Sequence, residues 1–369
     1  METKGLRTEE FMVNMGPQHP STHGVCKLVL KMDGELVKEI QPHVGYLHRS
    51  IEKIAENRTY AQIVPFTDRI DYCASMNSNH AYVEAVERMA EVEVPERAQY
   101  LRVIMAELNR IASHLLWLAT FTIDLGAVTP FLYAFREREE IMDMFEMTCG
   151  QRLTYNYMKI GGVNWDIPKE FVPKAKQFLK ILPGKVDEYE DLLTNNPILL
   201  YRTKGIGVLS SEKAIEYSAS GPSIRASGVR WDIRKAEPYA VYDKFDFNIP
   251  VRYNGDVWDR YKIRLDEMRE SAKIVEQAID GLPEGDIAKK VPMTWKPKEG
   301  EVFCRIEAPR GEMAYHIISD GTNKPYRVKI RTGSFCNLQL LPAIATNHLI
   351  ADLVAIFGSL DIVLPEVDR

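Results

Sequence analysis

The sequence is poor in the residues that build metal centres and covalent cross-links. Its 369 residues include five cysteines, and no two of them stand close enough to form a Cys-x-x-Cys pair. An odd number of widely separated thiols is typical of reduced proteins rather than of a disulfide framework. It also argues against a zinc site or an iron–sulfur cluster held by this chain alone. The signatures of zinc proteases, serine hydrolases and P-loop nucleotide-binding proteins are missing as well.

Long uninterrupted apolar runs are also lacking. The two most apolar stretches are residues 111–128 and 338–358, and each contains a histidine and at least one aspartate. A charge at the middle of a bilayer costs about 2.5–3.5 kcal/mol even on the lenient insertion scale, so neither stretch is a good membrane span. The first ten residues mix acids and bases and have no apolar signal core. We therefore expect a soluble chain that docks on a membrane partner, if it meets a membrane at all.

Charge of one sign is not in excess. The chain has 47 lysines and arginines against 52 aspartates and glutamates, a net charge of −5, with 45% hydrophobic residues. This composition supports a large core and rules out disorder of the whole chain. The basic residues are scattered and form no stripe, so nucleic acid is not an expected partner.

The first fifty residues have the pattern of β structure. Phe11–Met15 is predicted as a short strand, and Val25–Met32 and Glu35–Ile40 alternate apolar and polar residues on either side of Asp33-Gly34. Asp-Gly is a strong signal for a two-residue hairpin. The alternation predicts that one face of the first hairpin strand carries Cys26, Leu28, Leu30 and Met32.

Helical periodicity dominates the middle of the chain. Apolar residues recur at steps of three and four in Glu96–Leu118 and again in Asp259–Asp280, which is the pattern of packed bundle helices. Thr129-Pro130 is predicted as the N-cap and first residue of a helix that runs to about Thr148.

The last part of the chain is predicted to combine a small sheet with a helix. Residues 281–300, rich in glycine, proline and lysine, form the clearest linker. The predicted elements after it are strands Glu301–Ala308, Met313–Ser319 and Tyr326–Arg331, a helix Leu340–Phe357 and a tail Asp361–Arg369. The predicted class is α+β, organised as a β-rich segment (1–60) that carries a histidine loop, a helical core (61–285) and a C-terminal meander with helix and tail (286–369). We expect the three to pack as one continuous unit.

Two histidines share a loop between predicted strands, His19-Pro-Ser-Thr-His23. Loops on rigid scaffolds commonly carry function, and histidine titrates near neutral pH. Equally, proline, serine and threonine in such a loop could simply satisfy the backbone groups of a turn. Spacing and composition leave both interpretations open.

Two acidic motifs are further candidates. In Asp68-Arg-Ile-Asp-Tyr72, the phenol of Tyr72 could donate a proton to a carbonyl oxygen. The alternative is a surface salt-bridge network in which the ring of Tyr72 packs against its neighbours, and the residue types by themselves favour this alternative. Asp124 follows an apolar helical run, so a buried carboxylate there needs a cationic or imidazole partner. It is either a helix-terminus cap or a carboxylate that orients a histidine, and spacing does not decide between these roles.

These residues resemble those of a known family. The matching motifs are Met15-Gly-Pro-Gln-His-Pro-Ser-Thr-His-Gly24, Gly45-Tyr-Leu-His-Arg49, Asp68-Arg-Ile-Asp-Tyr72 and Asp124-Leu-Gly-Ala-Val-Thr-Pro130. They are similar to the quinone-site subunit of respiratory complex I, the 49-kDa or D subunit of NADH:quinone oxidoreductase. The resemblance continues to the C-terminal Val367-Asp-Arg369 and so covers nearly the whole chain.

The resemblance implies the fold of the large subunit of nickel–iron hydrogenases, a mainly helical bundle core with small antiparallel β elements near both termini. Those enzymes hold their metal with two Cys-x-x-Cys pairs. The corresponding positions in this sequence are Asp71, Ala74, Val363 and Glu366. Since all four thiolates are replaced, we expect the chain to bind no nickel and no other metal.

The resemblance also assigns roles to individual residues. His23 and Tyr72 would hydrogen-bond the two carbonyl oxygens of the quinone, and Asp124 would pair with His23 and raise its pKa. A quinone that takes up two electrons develops negative charge on both oxygens, which such donors stabilise. The neighbours expected around this quinone site are His19, His48 and Arg49.

By the same resemblance, the chain is part of a proton-pumping NADH:quinone oxidoreductase, a translocase that is active only when assembled. Quinone, for example ubiquinone, is then the substrate, while NADH and the iron–sulfur clusters are bound by other subunits. The expected partners are the subunit with the terminal iron–sulfur cluster, the C-type peripheral subunit (separate or fused) and the membrane subunit through which quinone enters. The expected location is peripheral, on the cytoplasmic side of the cell membrane, which is the inner membrane in a Gram-negative cell.

Three other interpretations remain at this stage. The same subunit type could work in a complex driven by ferredoxin or a deazaflavin, because the donor docks on other subunits. An active membrane-bound hydrogenase would contain nickel. A structural scaffold would bind no ligand. The sequence also departs from the family pattern at Leu364-Pro365, where Phe-Gly is more usual, and in the short segment 281–300.

Overall fold

The N-terminal part of the chain builds a small antiparallel sheet. The structure is a computed structural model that describes residues 9–19, 21, 24–292 and 295–369. Its first strands are β1 (Glu10–Met15), β2 (Gln18–His19), β3 (Gly24–Val25), β4 (Lys27–Asp33) and β5 (Leu36–His43). The sheet order is β1-β4-β5, and β2 pairs with β3 as a separate two-stranded ribbon. The predicted hairpin is confirmed, and so is its inner face, because Cys26, Leu28, Leu30 and Met32 are all buried.

Helices then form the centre of the molecule. They are α1 (Ile51–Ala55), α2 (Tyr60–Thr67), α3 (Ser75–Ala90), α4 (Glu96–Asp124) and α5 (Thr129–Cys149). A two-stranded ribbon, β6 (Met158–Lys159) with β7 (Gly162–Val163), precedes α6 (Phe171–Leu193), α7 (Pro197–Thr203), α8 (Ser211–Glu216), α9 (Pro222–Ala226), α10 (Ile233–Ala236) and α11 (Val257–Asp280). The long helix α4 packs against both α5 and α11, and α11 also packs against α6.

The ends of two predicted helices need correction. Helix α4 runs on from Leu118 to Asp124, because the apolar side chains of Leu118 and Phe121 keep its inner face buried. Thr129, the predicted N-cap of α5, is instead its first helical residue, and Val128 is the N-cap. Pro130 still lies in the first turn, where its missing N–H costs no hydrogen bond.

The C-terminal part contains a second antiparallel sheet, β8 (Gly300–Ala308), β9 (Gly311–Ser319) and β10 (Pro325–Arg331), in the order β10-β9-β8. It is followed by α12 (Gly333–Leu338), α13 (Leu341–Ala345), α14 (Ile350–Leu360) and α15 (Leu364–Asp368). The three predicted strands are confirmed. Antiparallel sheets at both ends of a helical centre give the α+β class that the sequence predicts.

The predicted helix Leu340–Phe357 is wrong, since it is interrupted between α13 and α14. Asn347 has a φ of 66°, in the left-handed region, and cannot continue a right-handed helix. Its N–H donates to the carbonyl of Val37, and the carbonyl of His348 accepts from the N–H of Val37. The segment therefore pairs with β5 instead of closing another helical turn.

Buried apolar residues form one cluster that extends from Met15 to Val367 and draws on all three predicted segments. The boundaries of those segments stay a prediction. Among the helices of the described ranges, none is both long and apolar enough to cross a bilayer.

Buried ion pairs hold the helical centre together. Arg102 on α4 donates to both carboxylate oxygens of Glu87 on α3, at 2.6 and 2.8 Å, and both side chains are buried. Arg102 also donates to the carbonyls of Lys159 and Gly162, and Glu87 accepts from the N–H of Gly161. This bidentate pair therefore fastens the β6–β7 ribbon to two helices.

Arg102→Met should destabilise the chain, because the substitution leaves the Glu87 carboxylate buried without its counter-charge. Loss of one partner of a buried pair costs about 3–5 kcal/mol. The matched control is Arg88→Met, which removes a partly exposed i,i+4 partner of Glu84 and should cost less than about 1 kcal/mol. Chemical denaturation of the two variants measures both values, and equal stability of the two would contradict this account.

Candidate functional site

The predicted histidine loop is only partly described. His23, a predicted catalytic residue, lies outside the described residues, as do Pro20 and Thr22. His19 pairs with Gly24 across the β2–β3 ribbon, and its Nδ1 accepts a hydrogen bond of 3.2 Å from the N–H of Ser21. A Cβ at Gly24 would lie 3.1 Å from Cδ1 of Leu364, so the end of the loop reaches the C-terminal helix α15.

Tyr72 lies in the turn of residues 68–74 between α2 and α3. The surface salt-bridge interpretation of this turn is wrong, because Asp68 and Asp71 are both buried. Tyr72 itself is 37% exposed, and partial burial of its ring raises the pKa of the phenol to about 12. The phenol is therefore protonated at neutral pH and can act as a hydrogen-bond donor.

A buried cluster of charged residues stands behind Tyr72. Nη1 of Arg310, in the turn between β8 and β9, lies 2.5 Å from Oδ2 of Asp71, and its Nη2 lies 3.3 Å from Oδ1 of Asp361. The other oxygen of Asp71 accepts from the N–H groups of Cys73 and Ala74. These contacts fix the turn at both sides of Tyr72 and so determine where its hydroxyl is presented.

Glu366 on α15 is the fourth member of this Arg310 cluster, which we define as Asp71, Arg310, Asp361 and Glu366. The Ser334 hydroxyl donates a hydrogen bond to Oε2 of Glu366. Burial, reinforced by the negative charge of Asp71, raises the pKa of Glu366 to about 8. Burial also raises the pKa of Asp71. Two of the four positions expected to have lost metal-binding thiolates, 71 and 366, are thus occupied by carboxyls that influence each other.

Asp124 is the last residue of α4 and is half-buried. A Cβ at Gly358 would lie 3.5 Å from Oδ2 of Asp124, so this carboxylate sits against the end of α14. The C-terminal end of a helix disfavours negative charge, and the N-cap of α5 is Val128. A capping role for Asp124 is therefore poorly supported by its position.

His48 and Arg49 are tied to the end of the chain. Oδ1 and Oδ2 of Asp368 accept hydrogen bonds of 2.7 Å from the N–H groups of Gly45 and Leu47. Nδ1 of His48 is 2.7 Å from the Asp368 carbonyl, and Nη2 of Arg49 donates to the carbonyl of Arg69. Burial and the charge of Arg69 lower the pKa of Arg49.

All of these groups meet at one stretch of chain, residues 358–369, which we call the C-terminal segment. It borders Asp124 at Gly358, binds Arg310 at Asp361, contacts the histidine loop at Leu364 and holds loop 45–49 at Asp368. Tyr72 also belongs to this neighbourhood, because the charges of Asp71, Arg310 and Asp361 all act on its phenol. The C-terminal segment is thus bordered along its length by the predicted residues Tyr72, Asp124, His48 and Arg49 and by the two ends of the loop that contains His23.

Comparison with known proteins shows to which family the chain belongs. The sequence profile of the family described as "Respiratory-chain NADH dehydrogenase, 49 Kd subunit" matches residues 124–299 and 289–369. A protein of Dehalococcoides mccartyi (strain ATCC BAA-2266 / KCTC 15142 / 195) is 56% identical over 365 residues, which is 99% of this chain and the whole of the relative. Relatives of Bacillus mycoides (strain KBAB4) and Bacillus anthracis are 53% and 54% identical over 364 residues, 98% of this chain and the whole of each relative. All three relatives are named as the D subunit of an NADH-quinone oxidoreductase.

The chain belongs to the 49-kDa subunit family. The sequence alone does not reveal the importance of Arg310 and Ser334. Arg310 lies in Pro309-Arg310-Gly311, between two predicted strands, and no motif singles out Ser334. A Pro-Arg-Gly turn gives no sign that its arginine is buried, and only the folded chain shows it against Asp71.

A cavity lies beside the site. It has a volume of about 400 Å³ and is lined by Arg49, Ile51, Ile54, Pro65, Phe66 and Arg69. Across the described ranges, no group of three or more histidine, cysteine, aspartate or glutamate side chains has the arrangement of a metal site.

Asp368→Ala should release loop 45–49 from the C-terminal segment, because two hydrogen bonds to a charged acceptor are lost. Hydrogen exchange at the amides of Gly45 and Leu47 is expected to accelerate at least about tenfold. Asp368→Asn retains one acceptor oxygen and should give an intermediate rate. Asp352→Ala, on the outer part of α14, is the control and should leave both amides protected. Unchanged exchange in Asp368→Ala would show that the loop is held by other contacts.

Proposed function

We propose that this chain forms the quinone-reducing site of a proton-pumping NADH-quinone oxidoreductase of the complex I type. The observation that carries the proposal is the exposed phenol of Tyr72, held by a buried arginine–carboxylate cluster at the junction of the C-terminal segment and the histidine loop. The names of the relatives support NADH as the electron source of the assembled complex.

The chemistry of the site suits a quinone as substrate. Reduction by two electrons places negative charge on both oxygens of the ring, and each oxygen finally takes a proton. Tyr72 is a neutral donor at neutral pH, since its pKa is raised to about 12, and it would donate to one oxygen. His23, paired with Asp124, would donate to the other. A fixed cation, Arg310, stands behind Tyr72 and would favour charge that develops there.

The side chains of the site are better suited to binding an organic substrate than to binding a metal ion. We propose that the core is of the nickel–iron hydrogenase type, with its metal pocket converted to quinone binding. The four positions of the former thiolates carry Asp71, Ala74, Val363 and Glu366. Two of these side chains are aliphatic, Asp71 is bound by Arg310, and Glu366 accepts from Ser334, so the donor set does not fit a soft metal ion.

Electrons would reach the quinone from an iron–sulfur cluster in an adjacent subunit. The exposed Arg49 and Arg69 both line the cavity of about 400 Å³, and two cations on one surface suit an anionic partner. The C-type peripheral subunit would pack on another face of the chain.

Quinone itself would arrive through a membrane subunit, with the chain bound on the cytoplasmic side of the membrane. Apolar side chains are exposed on both sides of Asp124, at Ile123, Val128 and Leu132. An apolar surface next to the site suits contact with a lipophilic substrate and a membrane partner. Reduction would then be coupled to proton translocation in the membrane arm.

Tyr72→Phe in the assembled complex should lower the rate of NADH-driven quinone reduction by about two orders of magnitude, the usual range for removal of a positioned proton donor. Assembly should be intact, because the phenol is partly exposed and its ring is retained. Tyr201→Phe, at an 84% exposed position of α7, is the matched control and should keep full activity. Normal quinone turnover in assembled Tyr72→Phe would leave only a scaffold role for the chain.

A further inference from the structure

The Arg310 cluster contains more acid than base. Its single guanidinium is shared between Asp71, at 2.5 Å, and Asp361, at 3.3 Å. The next cation, Arg264 on α11, lies on the far side of Asp361, with its Nε 3.8 Å from Oδ2. Within the described part of the chain, no arginine or lysine forms an ion pair with Glu366. The cluster thus contains three carboxyls, whereas Arg310 and Arg264 can compensate the negative charge of only two.

Glu366 is the carboxyl left over, and its surroundings suit a neutral acid. The residue is 1% exposed, and the Ser334 hydroxyl donates to Oε2. Oε1 finds no hydrogen-bond partner among the residues that the structure describes. An ionised carboxylate with a bare buried oxygen is strongly disfavoured, whereas a protonated carboxyl avoids that cost.

We propose that Glu366 carries a proton in the resting site and delivers it to Tyr72 during quinone reduction. The proposal rests on the proposed function and adds a further proton-transfer residue to it. Tyr72 follows Asp71 directly in the chain, and the charges of Asp71, Arg310 and Asp361 act on both Tyr72 and Glu366.

The protonation of Glu366 depends on every element packed around it. The charged and titratable groups that act on it or respond to its charge are Asp71, Arg310, Tyr315, Cys336 and Asp361. Burial raises the pKa of Glu366 to about 8, so the acid form prevails at neutral pH. Ser334 opposes this shift, because its hydrogen bond favours the ionised carboxylate.

The proton and electron balance is complete. The quinone takes two electrons from the donor of the complex, and one of its oxygens takes the phenolic proton as the O–H bond of Tyr72 breaks. The resulting phenolate takes the proton of Glu366, whose O–H bond breaks in turn. Glu366 is then a carboxylate, with Arg310 as the nearest cation of the cluster, and solvent restores its proton before the next turnover. The other quinone oxygen is protonated on the histidine side of the site.

Glu366→Gln in the assembled complex tests the proposal, because glutamine keeps the shape and the acceptor for Ser334 but has no acidic proton. Quinone reduction is expected to fall about tenfold at neutral pH. In the unaltered complex, the rate should decline as the pH rises through about 8, because Glu366 is then already ionised when the quinone is reduced and has no proton to give. That decline should disappear in the variant. Glu137→Gln, a buried carboxyl on α5 outside the site, is the control and should behave as the unaltered complex does.

Two further measurements test the role of Glu366, and the first of them does not require Glu366→Gln to assemble. Ser334→Ala removes the hydrogen bond that favours the carboxylate, so the decline in rate should move to higher pH. In the redox-difference infrared spectrum, the carbonyl band of a protonated carboxyl should change on quinone reduction in the unaltered complex and be absent from Glu366→Gln. An unmoved decline in Ser334→Ala, or a retained band in Glu366→Gln, overturns the role of Glu366. If Glu366 fails these tests while Tyr72→Phe still lowers quinone reduction, the role of Glu366 is refuted and the proposed function stands.

Discussion

The buried guanidinium of Arg310 is the constraint on which the site depends. A cation removed from water must be compensated, and Asp71 and Asp361 provide the compensating charges from a turn and from a helix end. Asp361 adopts a φ of 58°, a left-handed conformation that directs the chain from α14 towards α15. The same ion pairs therefore fix the turn that presents Tyr72 and the course of the C-terminal segment, so neither can move without exposing a buried charge.

Local sequence patterns predict the strands and helices that are stabilised by burying one regularly spaced set of apolar side chains. The alternation around Asp33-Gly34 and the apolar steps in α4 and α11 are properties of consecutive residues, and the structure confirms all three. The interrupted helix 340–357 shows the limit of this reasoning. Its sequence suits a helix, but Asn347 and His348 bond to Val37, more than three hundred residues earlier in the chain. A partner so distant leaves no trace in local periodicity.

The sequence likewise predicts some residues of the site and misses others. Motifs identify Tyr72, Asp124, His48 and Arg49, and the fold brings them to the C-terminal segment. The ion pair of Arg310 joins residues 239 positions apart, and although Asp71 belongs to a recognisable motif, nothing in the sequence identifies Arg310 as its partner. Buried polar networks of this kind are assembled by tertiary structure, because each member needs a partner that sequence spacing cannot identify.

In the fold that we propose, carboxyls stand where the nickel–iron hydrogenases have metal-binding thiolates, and this difference changes what the pocket can do. Thiolates bind soft metal ions, which can exchange electrons, whereas carboxyls next to an arginine can hold and release protons. With more carboxyls than cations the cluster retains a proton, and burial keeps that proton available near neutral pH. Reduction of a quinone needs both electrons and protons, and the electrons come from another subunit in the function we propose. The cluster then contributes a proton, which the electron donor does not deliver.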